Sequence, residues 1–202
     1  MMLLCPTCHD MATKGALKEP RQRHFKEHPF NRKRGYSKGK LWVNAPTGTV
    51  LLSSTSLIGG GCFVSVGSEC LVKLDVGPEG SIELSLVIYD KSDTLLVVID
   101  HNEWKAGDPS VWDLESDYQF LKIRSKRYDV LLEINAQKEP LRIRAQLWHK
   151  GTRIDCKPSQ MEMSTPTIKN MVIRGGALSG FRIATSADGK STGIVPNEHS
   201  SG

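Results

Sequence analysis

From residue 41 onward the apolar side chains recur at every second position, in short runs separated by turn residues. Residues 141–148 (LRIRAQLW) are the strictest case: Leu141, Ile143, Ala145 and Leu147 fall on one face, Arg142, Arg144, Gln146 and Trp148 on the other. A period of two belongs to a β-strand with one buried face. Residues 81–89 (SIELSLVIY) and 94–100 (TLLVVID) flank the turn Asp90-Lys91-Ser92-Asp93, which predicts a hairpin. Residues 118–124 and 130–135 form a second pair around SKRYD, and 152–156 follow a turn at Lys150 and Gly151. Further strands are expected at 40–43, 49–52, 62–66, 70–76, 161–163, 171–173 and 181–184. Many short strands with no long helical period predict a mainly β fold, an antiparallel sandwich or barrel-like sheet. For the Gly-rich residues 168–185 a stacked solenoid is the alternative.

The first forty residues follow a different pattern. Residues 9–28 read as helical, interrupted at Pro20, with one short helix to about Leu17 and a second from Glu19 or Pro20 to about His28. Residues 1–40 hold ten Lys/Arg against Asp10, Glu19 and Glu27; the remaining 162 residues hold seventeen Lys/Arg against nineteen Asp/Glu. A polyanion partner is therefore expected at the N-terminal end, met by Lys14, Arg21, Arg23, Lys26, Arg32, Lys33 and Arg34. Tyr36 is available beside them for stacking, and a plain solvated linker is the competing reading. The expected division is 1–30 for a small N-terminal module, 31–40 for a basic linker, 41–184 for the β-rich domain and 185–202 for a disordered tail. No apolar run approaches the roughly 18–20 residues of a membrane span, and residues 1–4 are too short for a signal-peptide core. A cytoplasmic protein is expected.

Five cysteines stand at 5, 8, 62, 70 and 156. An odd count argues against a disulfide framework, so Cys62 and Cys70, in strand-like surroundings, are expected to be small buried hydrophobes. Only Cys5 and Cys8 have ligand spacing: two thiolates separated by two residues can share one tetrahedral Zn²⁺. His9, next to the second Cys at a helix entry, faces another direction and could serve a second metal. A redox pair would need a thioredoxin-like strand and long helix, and haem attachment an export signal; neither accompanies the motif.

The string Leu3-Leu4-Cys5-Pro6-Thr7-Cys8-His9 followed by a short helix resembles the C-terminal half of the ββα-metal module of HNH endonucleases, over roughly residues 3–30. The resemblance implies that Cys5 and Cys8 are the second Cys pair of a structural zinc site. It implies that His9 is the last conserved His, a ligand of the catalytic divalent metal (magnesium or similar). A second His sometimes follows four residues later, where this chain has Thr13. The family's Asn would fall just before Met1, and its general-base His and first Cys pair lie further upstream. The expectation is thus an N-terminally truncated relative of a metal-dependent DNA endonuclease, retaining DNA binding, with no catalytic residue assigned and no activity alone. The rest of the chain, notably residues 100–104 and Val111, Trp112 and Asp113, is similar to the β-rich region that follows such modules in some bacterial and phage proteins.

Within the β-rich part, the acids and indoles of 100–104 and of Asp108, Trp112 and Asp113 suit a carbohydrate- or metal-binding loop, or else turn capping and core filling, the favoured reading. The alternative for the whole chain is a non-enzymatic β-sheet interaction or oligomerisation domain with a vestigial N-terminal tail.

Overall fold

The computed structural model describes residues 13–16, 18–27, 36–43, 48–77, 81–106 and 113–197. The chain forms two compact units, Met1–Ser37 and Lys38–Gly202. In the first, α1 (Glu19–Glu27) begins where the sequence predicts. Pro20 sits in its first turn, where a missing N–H costs nothing, and Glu19 complements the positive end of the helix dipole.

The described residues contain eighteen strands. They are β1 (Ser37–Lys40), β2 (Thr49–Leu52), β3 (Thr55–Ile58), β4 (Gly61–Val66), β5 (Glu69–Val76) and β6 (Ile82–Tyr89). Then come β7 (Leu95–Asp100), β8 (Glu103–Ala106), β9 (Asp113–Ser116), β10 (Phe120–Lys126), β11 (Asp129–Asn135) and β12 (Leu141–His149). The last six are β13 (Thr152–Cys156), β14 (Met161–Ser164), β15 (Met171–Ile173), β16 (Ala177–Ser179), β17 (Phe181–Thr185) and β18 (Thr192–Pro196). One sheet runs β1-β8-β7-β6-β5-β4-β17-β18. The other runs β15-β14-β13-β12-β11-β10-β9 and branches at β12. Leu141–Ile143 of that strand pair in parallel with β2, and Ala145–His149 pair with β13.

The two sheets share one hydrophobic core, and among the described residues no barrel closes. Alternation does what it predicts. Ile82, Leu84, Leu86 and Ile88 of β6 and Leu141, Ile143, Ala145 and Leu147 of β12 are buried. The expected hairpins form. The Asp90 carboxylate accepts the backbone N–H groups of Ser92 (2.7 Å) and Thr94 (2.9 Å), closing the β6–β7 turn. Lys150 and Gly151 at φ 47° and 72°, and His101 and Asn102 at 46° and 66°, are two-residue hairpin turns with both central residues left-handed.

Four expectations are corrected. Cys62 and Cys70 are not free buried thiols: they form a disulfide, Cα–Cα 6.0 Å, across β4 and β5. Register shifts on both strands put Phe63–Val66 and Leu71–Val72 inward without alternation, and the parity of the two cysteines changes with them. Residues 168–185 are not a solenoid, because β15, β16 and β17 add to three different neighbours, β14, β3 and β4. The segment 185–202 is not a tail throughout, since β18 pairs with β17 across a Ser186–Gly189 turn. Likewise β1 takes residues 37–40 out of the linker and into a sheet edge.

Candidate nucleic-acid interface

Of the residues expected to meet a polyanion, Lys14, Arg21 and Arg23 are exposed in the first unit, and Lys26 lies on α1. Arg23 Nη2 stands 2.8 Å from Glu19 Oε1, one turn away, with both side chains 74% exposed. Such a pair contributes a few tenths of a kcal/mol, on the order of 0.3–0.5, and leaves Arg23 free to exchange partners. Cys5, Cys8, His9, Arg32, Lys33 and Arg34 lie outside the described residues, as do Asp108, Val111 and Trp112. Among the described residues no group of three or more His, Cys, Asp or Glu is placed to share a metal ion.

The 100–104 segment resolves as architecture. Asn102 is buried; its Oδ1 accepts the Leu84 N–H at 2.9 Å and its Nδ2 donates to the Ile82 carbonyl at 2.9 Å. Trp104 is core, 5% exposed, and covers Gly39, where an added Cβ would lie 2.7 Å from the indole. His101 is exposed at the turn, its Nδ1 2.6 Å from Asp100 Oδ1 and its Nε2 3.8 Å from Glu83.

The outer face of the second sheet carries what the sequence pattern alone did not single out. Alternation there makes rows of opposite charge across neighbouring strands. Lys122 meets Glu133 at 2.6 Å, and Arg124 bonds Asp113 and, at 2.6 Å, Glu115. The hydrogen bond to Glu115 raises the Arg124 pKa, burial opposes it, and the charge of Glu115 and the Asp113 carboxylate add to the rise. Asp129 accepts from the Ser125 hydroxyl and from Gln146 Nε2 at 2.8 Å, and those two bonds lower its pKa. Between these rows lies an open depression of roughly 430 Å³ lined by Arg127, Tyr128, Arg144 and the Arg124–Asp113 pair among others. Arg127 stacks on Tyr128 at 5.0 Å, and Tyr128 is 82% exposed. Lys122 and Arg124, two of the four cations that line the depression, are matched by acids. The alternating run 141–148 announced Arg142 and Arg144; no local signal announced which acids would stand opposite.

No family model, curated protein or solved structure matches the chain.

Proposed function

We propose that the chain is a nucleic-acid-binding protein related to the HNH endonucleases, with DNA held by the N-terminal unit and the β-sandwich as an accessory domain. One observation supports this above all. Met1–Ser37 holds eight Lys/Arg against three Asp/Glu, and Lys38–Gly202 holds nineteen of each. The whole formal charge of +5 therefore belongs to the unit that carries the Cys-x-x-Cys-His string. Cations in such a segment bind phosphates by releasing counterions, which gives affinity without sequence preference.

The reading includes no nuclease activity for the chain alone. Phosphodiester hydrolysis needs a metal held by several ligands and a base to activate water. His9 is one ligand, without the family's base. Cys5 and Cys8 would bind zinc as thiolates, but two thiolates fill half a tetrahedron, so the donor set does not fit a closed structural site and no step is assigned to a metal. Plasmid nicking with Mg²⁺, Mn²⁺ or Zn²⁺ tests this. Metal-dependent cleavage lost in His9→Ala would overturn it. Binding is tested by duplex titration across a salt series. Replacing Arg32, Lys33 and Arg34 by Gln should flatten the log–log slope by about 0.9 for each phosphate no longer neutralised. A cytoplasmic location goes with a DNA partner. The Cys62–Cys70 bridge must then form in a reducing compartment, which thiol trapping in intact cells can check.

A second reading, self-association of the β domain, is favoured by one feature. Edge strand β18 (TGIVP) carries no charge, and its Ile194 and the neighbouring Phe181 are 58% and 45% exposed. Edges β1 and β9 carry Lys38 and Lys40, and Asp113 and Glu115, which blunt pairing. Sedimentation over a concentration series decides; an Ile194→Lys-sensitive dimer would support it.

A further inference from the structure

β1 is the edge strand beside β8 and carries the last cations of the basic segment, Lys38 and Lys40. Lys38 and Lys40 occupy alternate positions of β1, about 6.7 Å apart in an extended strand, Trp42 follows two residues after the strand, and all three are exposed, Trp42 to 66%. The residues between them face the other way: Gly39 lies under the Trp104 indole and Leu41 is 1% exposed. The chain then crosses between sheets. The Leu41 N–H donates to the Asn102 carbonyl (2.9 Å) in the β7–β8 turn, and the Trp42 N–H donates to the Tyr118 carbonyl (2.6 Å) beside β10. That second bond brings residues 42 and 118 together, and the Tyr118 side chain is also 66% exposed. On neighbouring β8 the outward residues are Glu103, 3.6 Å from Lys40, and Lys105. Lys38, Lys40, Glu103 and Lys105 are thus exposed on the paired strands β1 and β8, and the Lys40 ammonium stands 5.9 Å from the Trp42 ring centroid.

We infer that Lys38, Lys40, Trp42 and Tyr118 form a binding site for single-stranded nucleic acid on the sandwich. The inference rests on the nucleic-acid reading above and narrows it to unpaired strands. Bases in a duplex hide their faces in the stack, whereas unpaired bases can stack on an exposed Trp or Tyr, with Lys40 close to the Trp42 ring and Lys38 on the same strand for the phosphates. A neutral polysaccharide could use the rings but would make no ion pair with the lysines. Both aromatics hang from backbone fixed by the hydrogen bonds above, so the platform costs little ordering on binding.

The test uses the full chain, a labelled oligothymidylate and a duplex of equal length, each titrated across a salt series. Trp42→Ala and Tyr118→Ala should each weaken oligothymidylate binding about tenfold, leave duplex binding unchanged and leave the salt slope unchanged. Trp42→Phe should restore most of the loss. Lys38→Gln with Lys40→Gln should instead lower the single-strand slope by about 1.4. Tryptophan quenching at saturation should vanish in Trp42→Ala. All of these side chains are exposed, so unfolding midpoints should not move, and a variant that does move is replaced by Trp42→Gln. Equal oligothymidylate affinity for wild type and Trp42→Ala overturns the site, and the Arg32, Lys33 and Arg34 variant then still judges the N-terminal reading by itself. Binding of neither strand at low salt overturns both. Trp42-dependent binding of a neutral glucan in place of oligothymidylate overturns the site's assignment to nucleic acid.

Discussion

Asn102 does more for this fold than its exposed neighbours suggest. Its amide satisfies Leu84 N–H and Ile82 C=O on β6, its own N–H donates to the Leu84 carbonyl at 3.0 Å, and its carbonyl takes the N–H of Leu41. It does so from a left-handed φ of 66°, a conformation that asparagine tolerates better than most residues. Asn102→Ala strands two backbone groups in the core and adds backbone strain, so urea denaturation should show a loss of about 3 kcal/mol. A loss under about 1 kcal/mol would mean that water replaces the amide. Asn102→Asp should also destabilise, because a carboxylate cannot donate to Ile82. In the sequence, Asn102 is one polar residue in an acid- and indole-rich turn. The preference for turn capping over a ligand loop was legible there, but its bonding to strands earlier in the chain was not. Asp129 gives the pH prediction at this scale. Hydrogen bonds from Ser125 and Gln146 hold its folded pKa below the usual 3.8. Its contribution is therefore complete above 3.8 and lost as pH falls from there through the depressed folded value. Glu162 is also lowered, by Lys157 and Gln160, so the readout is a difference: Asp129→Asn should unfold less steeply with acid than wild type in that window.

Among the elements, β6 and β12 were readable because one face is buried along their whole length, and alternation survives intact. β4 and β5 were not. Two register shifts bury four successive residues of β4, Phe63 to Val66, so the period that identifies a strand face disappears, and with it the clue that Cys62 and Cys70 could meet. The bridge closes a short loop inside a hairpin already held by a ladder. The chain-entropy model gives about 2.5 kcal/mol for a loop of this size, and the ladder's own closure makes about 2 kcal/mol the better expectation. Cys62→Ser with Cys70→Ser should lose that amount. Wild type in reductant should match the double variant, and the variant itself should not respond to reductant. Free Cys156 cannot confuse the measurement, being wholly buried with its thiol pKa pushed up by burial. At β1 the controlling residue is Gly39, because any side chain there meets the Trp104 indole. Gly39→Val should therefore expel either the edge strand or the indole, shifting the emission of Trp104 towards the red.

At the scale of the molecule, charge and core are carried by different parts of the chain. Among the described residues the shared core begins at Leu41 and ends at Ile183, within Lys38–Gly202, whose formal charge is zero. The mainly β class and the basic N-terminus were legible because each is a property of local sequence. The sheet order was not, because the parallel pairs β2·β12, β3·β16 and β4·β17 join segments far apart in the chain with no turn between them to mark the partner. From this partition follows a paired prediction for shortened chains. A chain starting at Ser37 keeps β1, Leu41 and all sandwich pairing, so it should unfold cooperatively within a few degrees of the full protein. Its duplex affinity should fall steeply, because the surplus of cations is gone. A chain starting at Gly48 loses Leu41 as well, uncovering Trp104 and removing the bonds to Asn102 and Tyr118. Deleting a fully buried leucine alone costs about 2–5 kcal/mol, so its melting temperature should drop well below that of the Ser37 chain. If the two shortened chains melt together, β1 and Leu41 are not part of the cooperative unit. If the Ser37 chain keeps full duplex affinity, the N-terminal unit is not what holds DNA.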